Sequence, residues 1–462
     1  MHLFCERDAL SHALTICADL GRAFPEIFFV TLHAHSSAEG PSGSLDVLLW
    51  NEANGIGVLA TVPAEVVEPG WAMVPARMTA HALEVMPQGQ IHLSSVFIPD
   101  PKLVSDKELI KPTKGGPALQ MEGTGETGAR RCIRLRLYAP TPAQAVSPSL
   151  AEWQEKQVPL ATLAPQALRE ALGPCILLAR ERVEASEETP DMDHALVLFR
   201  FDPHALVCTA TTRFAIVQST LSWTRALAHV PCSHALVDER ALRWTMAALK
   251  QETRPVNLML VPQEASAMLL FSLSHCTLIC RSKTAPIPLV WERRIAAPSS
   301  HALLLSRSLL VKALDFLSAG QARNTNRYIS LGVSNHRLCL QWDPLAQTDH
   351  SALCQLPIVN TVADIEPVLV HLQQVRRMLR HIKGPALCLE RGTMMLRQKK
   401  GATVEPVPVG FVRFSLPAEE TTRIMLTIAE YPAPPSADPA NSSESREKGE
   451  TLVPVSSSSN SH

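Results

Sequence analysis

The 462-residue chain has almost no net charge: 43 Lys and Arg stand against 44 Asp and Glu, for a formal net charge of −1. Bulk attraction to a polyanion is therefore excluded as a signal, and any nucleic-acid surface must come from local clustering. No window holds the ~20 uninterrupted apolar residues of a membrane helix. The N-terminus, MHLFCERDAL, is charged by its sixth residue and lacks the apolar run of a secretory leader. A soluble, cytoplasmic protein without membrane contact is expected. The sequence has no Walker A loop and no Gly-rich nucleotide fingerprint. It also has no carboxylate cluster of the kind that supports metal-dependent polymerase or nuclease chemistry. The expectation is a non-enzyme with no cofactor. The eleven cysteines are scattered singly in apolar stretches such as LVCTA and RLCLQW, which reads as buried, reduced thiols. The nearest approach to a metal cluster is His275, Cys276 and Cys280 in HCTLIC. In a strand, residues four apart lie about 13 Å from each other, so no metal site is expected; a zinc enzyme built on these residues is the least favoured alternative.

What the chain does have is length for about three domains, 46% hydrophobic residues to build their cores, and an internal repeat. Leu-x-x-Ala-Leu occurs at Leu10–Leu14 (LSHAL), Leu168–Leu172 (LREAL) and Leu310–Leu314 (LVKAL). Each follows a short apolar stretch and opens an amphipathic helix, because leucines at i and i+4 share one face. After each comes a pair of alternating strands: IFFVTLHAH with LDVLLWNE, HALVLFRF with HALVCTAT, YISLGV with HRLCLQW. The last two pairs are split by the turns FDPH and VSNH. A second helix is predicted next, in PARMTAHALEVM, VDERALRWTMAALKQ and ADIEPVLVHLQQVRRML. Further strands close each unit: QIHLSS with RCIRLRLY, VNLMLV with HCTLICRS, ALCLER with VGFVRFSL.

The expected fold is thus α+β, in three repeated domains at residues 1–150, 151–297 and 298–416. Residues 97–117, rich in Pro, Gly and charge, read as a surface insertion in the first domain. Residues 417–462 read as a tail, disordered from about 431, where Pro and Ser dominate. TTRIMLTIAE, just before it, suits a short helix.

The ordered pieces GVLATVPAEVVEPGWAMVPARM, SPSLAEWQEKQVPLATL, VPCSHALVDERAL and VWERRI, taken with the triple repeat, resemble the bacterial sliding clamps, the β processivity subunits of DNA polymerase III. The resemblance covers residues 1–416 and marks a divergent member. It implies three processivity-fold domains per chain, helices lining a pore with sheets outside, and a head-to-tail ring of two chains around duplex DNA. It also gives an address to CTATTRFAIV at residues 208–217. The family's middle domain carries a Thr-Asp-Gly-His-Arg-Leu-Ala signature, matched here by Thr209, Arg213 and Ala215, with Phe214 for leucine and the Asp-Gly-His core lost. In the family this segment walls a pocket between domains two and three that takes short apolar peptides of polymerases and clamp-loader subunits. The resemblance places Arg294 and Ile295, and Val409, Val412 and Arg413, on the other wall. Apolar Phe214, Ile295 and Val412 suit a floor, and Arg213, Arg294 and Arg413 suit donors. The alternative for Arg213 is a solvated strand residue.

A clamp slides, so it needs diffuse phosphate attraction without base reading. The basic candidates are Arg22, Arg77, Arg169, Arg240, Arg243, Lys250, Arg376, Arg377, Arg380 and Lys383, with Arg182, Lys312, Arg323 and Arg327 as further contributors. Arg22 matches a DNA-touching arginine of the family. The resemblance implies a dimer interface between the strand carrying Ile133, Leu135 and Leu137 and a site after the first helix of domain three. There Gly320 and Gln321 replace a large aliphatic pair, which removes anchoring area. Two readings stay open: a DNA sliding clamp that tethers the replicative polymerase, and a diverged paralogue that acts as a protein adaptor without a closed ring.

Overall fold

The computed structural model describes residues 1–23, 29–37, 40–51, 55–98, 116–125, 128–138, 156–180, 196–212, 215–222, 233–262, 267–282, 299–319, 328–342, 352–359, 365–400, 403–416 and 422–429. The chain repeats one order of elements three times. The first unit runs β1 (His2–Glu6), α1 (Arg7–Ala23), β2 (Phe29–Ser37), β3 (Gly40–Asn51), β4 (Ile56–Glu68), β5 (Gly70–Pro75), α2 (Ala76–Glu84), β6 (Gln90–Ile98), β7 (Gly116–Thr124) and β8 (Arg130–Arg136). The second runs β9 (Val158–Leu163), α3 (Pro165–Arg180), β10 (Leu196–Asp202), β11 (Ala205–Thr211), β12 (Ala215–Ser222), β13 (His234–Asp238), α4 (Glu239–Leu249), β14 (Val256–Pro262), β15 (Ala267–Ser272) and β16 (Thr277–Arg281). The third runs β17 (Ser299–Ser306), α5 (Arg307–Ala319), β18 (Tyr328–Ser334), β19 (Arg337–Trp342), β20 (Leu353–Pro357), β21 (Ile365–His371), α6 (Leu372–His381), β22 (Ala386–Lys400), β23 (Thr403–Ser415) and β24 (Thr422–Ala429).

Two expectations change here. Thr422–Ala429 is a strand, not a helix, and it supplies the third unit's closing strand, so the third unit extends past 416 to 429. Its residues RIMLTIA alternate, and Ile424, Leu426 and Ile428 are all buried, the period-2 pattern of a half-buried strand. The helix expected over 363–379 is also shorter. Ile365–His371 forms a strand, with Ile365, Val368 and Val370 buried; β-branched residues and Pro367 favour extended backbone there. Helix α6 starts only after His371, whose Nδ1 accepts from Gln374 N–H at 3.3 Å. The VSNH turn is of the expected kind: Asn335 and His336 both have positive φ (50° and 57°) between two antiparallel strands. Residues 99–115 of the insertion and 430–462 of the tail lie outside the described residues.

The strands of each unit form two four-stranded sheets, and the sheets join across units. In the first unit β5-β2-β3-β4 and β8-β7-β6-β1 are also linked through the long β4. Strand β4 pairs antiparallel with β16, fusing unit one to unit two. Strand β12 pairs antiparallel with β24, fusing unit two to unit three. The third unit's other sheet, β20-β19-β18-β21, ends at β20 without a neighbour among the described residues. Two helices per unit pack on each other and on the unit's strands: α1 with α2, α3 with α4, α5 with α6. The Leu-x-x-Ala-Leu motif works as its spacing implies: Leu10, Ala13 and Leu14, Leu168, Ala171 and Leu172, and Leu310, Ala313 and Leu314 are all buried. Across the seams α1 meets α4 and α3 meets α6, so helix packing continues from unit to unit.

Candidate nucleic-acid channel and peptide seam

Five of the candidate basic residues converge. Arg169 on α3, Arg243 and Lys250 on and after α4, and Arg380 and Lys383 at the end of α6 line one cavity of about 650 Å³ at the seam of units two and three. Their charges are partly answered from within. The Lys383 ammonium donates to Glu170 Oε1 at 2.7 Å across the seam, and that bond holds the Glu170 carboxyl below its ordinary pKa. Arg243 Nε lies 3.5 Å from Glu239 Oε2, one helical turn away; burial of Glu239 still pushes its pKa up. Arg376 Nε (2.5 Å) and Arg380 Nη2 (2.8 Å) both donate to Asp315 Oδ1 on α5, which lowers the Asp315 pKa. Arg240 donates from its backbone N–H and its guanidinium to Asp238, the N-cap of α4. Arg77 and Lys250 are exposed, and their side chains have no hydrogen bond or ion pair among the described residues. Arg377 is exposed on α6. Arg169 Nε, in that same cavity wall, is buried without a hydrogen-bond partner among the described residues. The side chain of Arg22 lies outside the described residues, as do Arg182, Arg323 and Arg327.

At the same seam the end of β11, followed by Thr212, meets Ala215 at the start of β12. Thr212 N–H donates to Ala215 O at 2.8 Å, Ala215 N–H donates to Thr212 Oγ1 at 3.1 Å, and the Thr211 hydroxyl reaches Ala215 O at 3.1 Å. Threonine hydroxyls thus bond the two strand ends to each other. Gln374 Nε2 on α6 donates to Thr212 Oγ1 at 3.4 Å, tying Thr212 to unit three. Thr209, Ala215 and Val412 are buried, and Val409 is half-buried. Ala215 and Val412 both pair with Ile428, from opposite sides of β24. The strand beside β12 is β24, for which a short helix was expected; the alternation of RIMLTIA was the signal that could have found it. Arg413 differs from expectation. It is 8% exposed, faces Glu390 across β22 at 3.6 Å and lies over the Phe411 ring at 5.1 Å. A buried, paired guanidinium braces the sheet and is no open donor. Arg213, Phe214, Arg294 and Ile295 lie outside the described residues.

Among the described residues β8 and β20 each end a sheet without a further strand neighbour. Along β8 the exposed Cys132, Arg134 and Arg136 alternate with Ile133 and Leu135. Leu135 is 8% exposed and packs in its own unit's core, with the half-buried Ile133 and Leu137 against it; part of the apolar face expected at an interface thus packs within the chain. Gly320 and Gln321 lie outside the described residues. Of the cysteine–histidine region, Cys276 and Cys280 are buried, and burial pushes each thiol up to about 12. His275 stands edge-on to His12, ring centroids 4.9 Å apart. Among the described residues no group of three metal-ligating side chains is placed to hold an ion, and no helix is long and apolar enough to cross a membrane.

No protein-family model matches the chain, and no curated protein matches it in sequence. Solved structures do match. The chain is similar to the DNA polymerase III beta of Caulobacter crescentus (15% identity, TM-score 0.63, 93% of this chain and 100% of that one). It is similar to the DNA polymerase sliding clamp of Bacillus subtilis (12%, 0.65, 94% and 100%) and to the beta subunit from DNA polymerase of Streptococcus pyogenes (14%, 0.62, 93% and 100%). A 93% span exceeds residues 1–416, about 90% of the 462, so the likeness includes part of the chain beyond 416. Three repeated units, two fused seams and these matches establish that the chain has the fold of the bacterial DNA polymerase III beta sliding clamps, in a divergent sequence.

Proposed function

We propose that the chain is a DNA sliding clamp: two copies close head to tail around duplex DNA and tether a polymerase during replication in the cytoplasm. The observation that carries this reading is the pattern of strand edges. Within the chain, two seams are closed by antiparallel pairing of like strands, β4 with β16 and β12 with β24. The remaining members of the same set, β20 and β8, have no strand partner on their outer edges among the described residues. Repeating the operation once more pairs β20 of one copy with β8 of the next, and a C₂ arrangement closes it. The basic cavity between α3, α4 and α6 supports sequence-independent phosphate contact, with Arg77, Lys250 and Arg377 as further contacts on the same helical side. The role is non-catalytic: encirclement gives processivity by topology. Partner peptides of polymerases and clamp-loader subunits would enter at the seam of units two and three, beside Phe214, Ile295, Val409 and Val412, with Arg213 and Arg294 as donors.

The adaptor reading has one specific observation in its favour. Arg240, Arg243, Arg376, Arg380 and Lys383 each have a carboxylate partner, which weakens the field a duplex would meet. Solution mass together with retention on circular versus linearised DNA separates the two. A dimer held on circles and lost from linear DNA supports the clamp. A monomer at tens of micromolar, on the order of ordinary dimer affinities, would overturn the clamp in favour of the adaptor.

A further inference from the structure

The variable residue of Leu-x-x-Ala-Leu sits at the seams, and its chemistry changes from one seam to the next. The first helices align closely. Arg7 and Arg307 open α1 and α5, and their backbone N–H groups donate to Gly89 O (2.9 Å) and Pro385 O (3.0 Å), just ahead of β6 and β22. Leu10, Ala13, Leu14 and Cys17 match Leu168, Ala171, Leu172 and Cys175, and Leu310, Ala313, Leu314 and Leu317, all buried. The motif's central residue is then His12, Glu170 or Lys312. The second helices align through their N-caps, Pro75, Asp238 and His371, and through buried Met86, Leu249 and Ile382, each the same distance along the chain. In this register Glu84 stands where α6 has Arg380, Val85 where it has His381, and Pro87 where it has Lys383.

At the seam of units two and three an acid on the first helix meets bases on the second: Glu170 bonds Lys383 at 2.7 Å, with Arg380, His381 and Pro174 lining the same cavity. At the seam of units one and two the first-helix residue is His12, which burial keeps below its ordinary pKa and which meets the His275 ring edge-on; Ala247 and Lys250, the register equivalents of Arg380 and Lys383, line the cavity of units two and three. At the two open ends the polarity is reversed. Lys312 is exposed, with no side-chain bond or ion pair among the described residues. Glu84, its side chain 65% exposed, is engaged by His81 of its own helix at 3.0 Å. Arg131 fastens the end of α2 through the Val85 carbonyl. Phe316 occupies the place of Pro174 and is 63% exposed; Val85 occupies that of His381 and is 46% exposed.

We propose that the occupant of this surface is a second copy of the chain, with Lys312 of one copy paired to Glu84 of the partner subunit and Phe316 packed on Val85 of the partner subunit. The inference rests on the ring reading and adds its recognition code. Reversed polarity also excludes wrong joins. Lys312 is repelled by Arg380, Lys383 and Lys250, and Glu84 by Glu170, so an open end cannot displace an inner seam. Phe316 supplies an aromatic anchor of the kind that concentrates interface energy.

The test is charge reversal in the full chain: K312E, E84K and the double variant, with F316S alongside, each followed by sedimentation from nanomolar to tens of micromolar. Thermal melts check that these exposed sites leave the fold intact. A two-copy ring has two such seams, so a loss of about fivefold per seam becomes about 25-fold in the dimer dissociation constant. The expected result is weakening by K312E and by E84K, recovery in the double variant, and a smaller wild-type advantage at high salt. Weakening without recovery, or no weakening of a dimeric wild type, would overturn the pairing and leave the ring. A monomeric wild type overturns both.

Discussion

Glu252 is where a single proton should be felt most. Its carboxylate follows α4 and accepts four hydrogen bonds: Thr253 N–H (2.9 Å), Arg254 N–H (2.8 Å), Ser274 N–H (2.7 Å) and the Ser274 hydroxyl (2.7 Å). Those bonds clasp the β15–β16 hairpin, whose His275 faces α1 of the first unit. Burial raises its pKa, and the bonds from Ser274, Arg254 and Thr253 outweigh it, bringing the group down to about 2 from an ordinary 4.5. A depressed acid stabilises the folded state above the unfolded pKa, and the contribution is lost as pH falls through the folded one. The shift sets a ceiling of about 3.4 kcal/mol; solvent screening at this half-buried site cuts the expectation to about 1–2 kcal/mol. Glu252→Gln keeps three acceptor contacts on its oxygen but turns an amide donor toward Ser274 N–H. At pH 7 it should lower stability by that amount, read from urea midpoints. Hydrogen exchange of the Ser274 amide should rise with it. Between pH 5 and pH 2 the gap to wild type should close. A gap that stays constant across that range would refute the charge argument, and no gap at pH 7 would refute the clasp.

Leu135→Asp should cost on the order of 3 kcal/mol of fold stability, because it buries an unpaired charge in the first unit's own core; loss of dimer with unchanged melting would contradict this. Lys250→Glu and Arg77→Glu, free of carboxylate partners among the described residues, should lower retention on nicked circular DNA more per residue than Arg243→Glu does. Binding should fall steeply with salt and ignore sequence; strong preference for one duplex sequence would contradict it. Phe214→Ala should weaken short polymerase C-terminal peptides about tenfold by fluorescence anisotropy, a floor contact of roughly 1–3 kcal/mol, with melting unchanged. Equal binding by the variant would remove Phe214 from the pocket.

The repeat was legible because its signals are local. Leucines four apart, paired alternating strands and polar turns recur in order, and burial of Leu10, Leu168 and Leu310 follows from that spacing alone. The failures came where tertiary pairing decides. RIMLTIA is short enough to read as helix or strand by pattern; its partners, β12 and β23, lie more than two hundred residues and a few residues away respectively, and only their pairing settles it. Arg413 illustrates a different limit. Whether a strand arginine faces solvent, a ligand or a carboxylate depends on its cross-strand neighbour, and Glu390 is brought opposite by the β22–β23 register. The same holds for the basic helices: the lysines and arginines were visible in the sequence, but Asp315, which neutralises two arginines, sits on a different helix.

The seams show how a repeated fold acquires specificity without changing its architecture. The buried positions of the motif are nearly interchangeable among the three units, since they solve the same packing problem. The central position is not buried in that core, so it is free to vary, and its chemistry is set by the neighbour it meets. Glu170 meets Lys383; His12 meets His275. By that logic the chemistry of Lys312 is set by something outside the chain, and an exposed carboxylate at the opposite end, Glu84, has the sign to match it. If two copies close as proposed, closure rests on this charge and the adjoining, exposed Phe316. It should therefore be more sensitive to ionic strength than closure resting on apolar area alone. A dimer whose dissociation constant is unmoved between low and high salt would place the closing energy elsewhere on the surface.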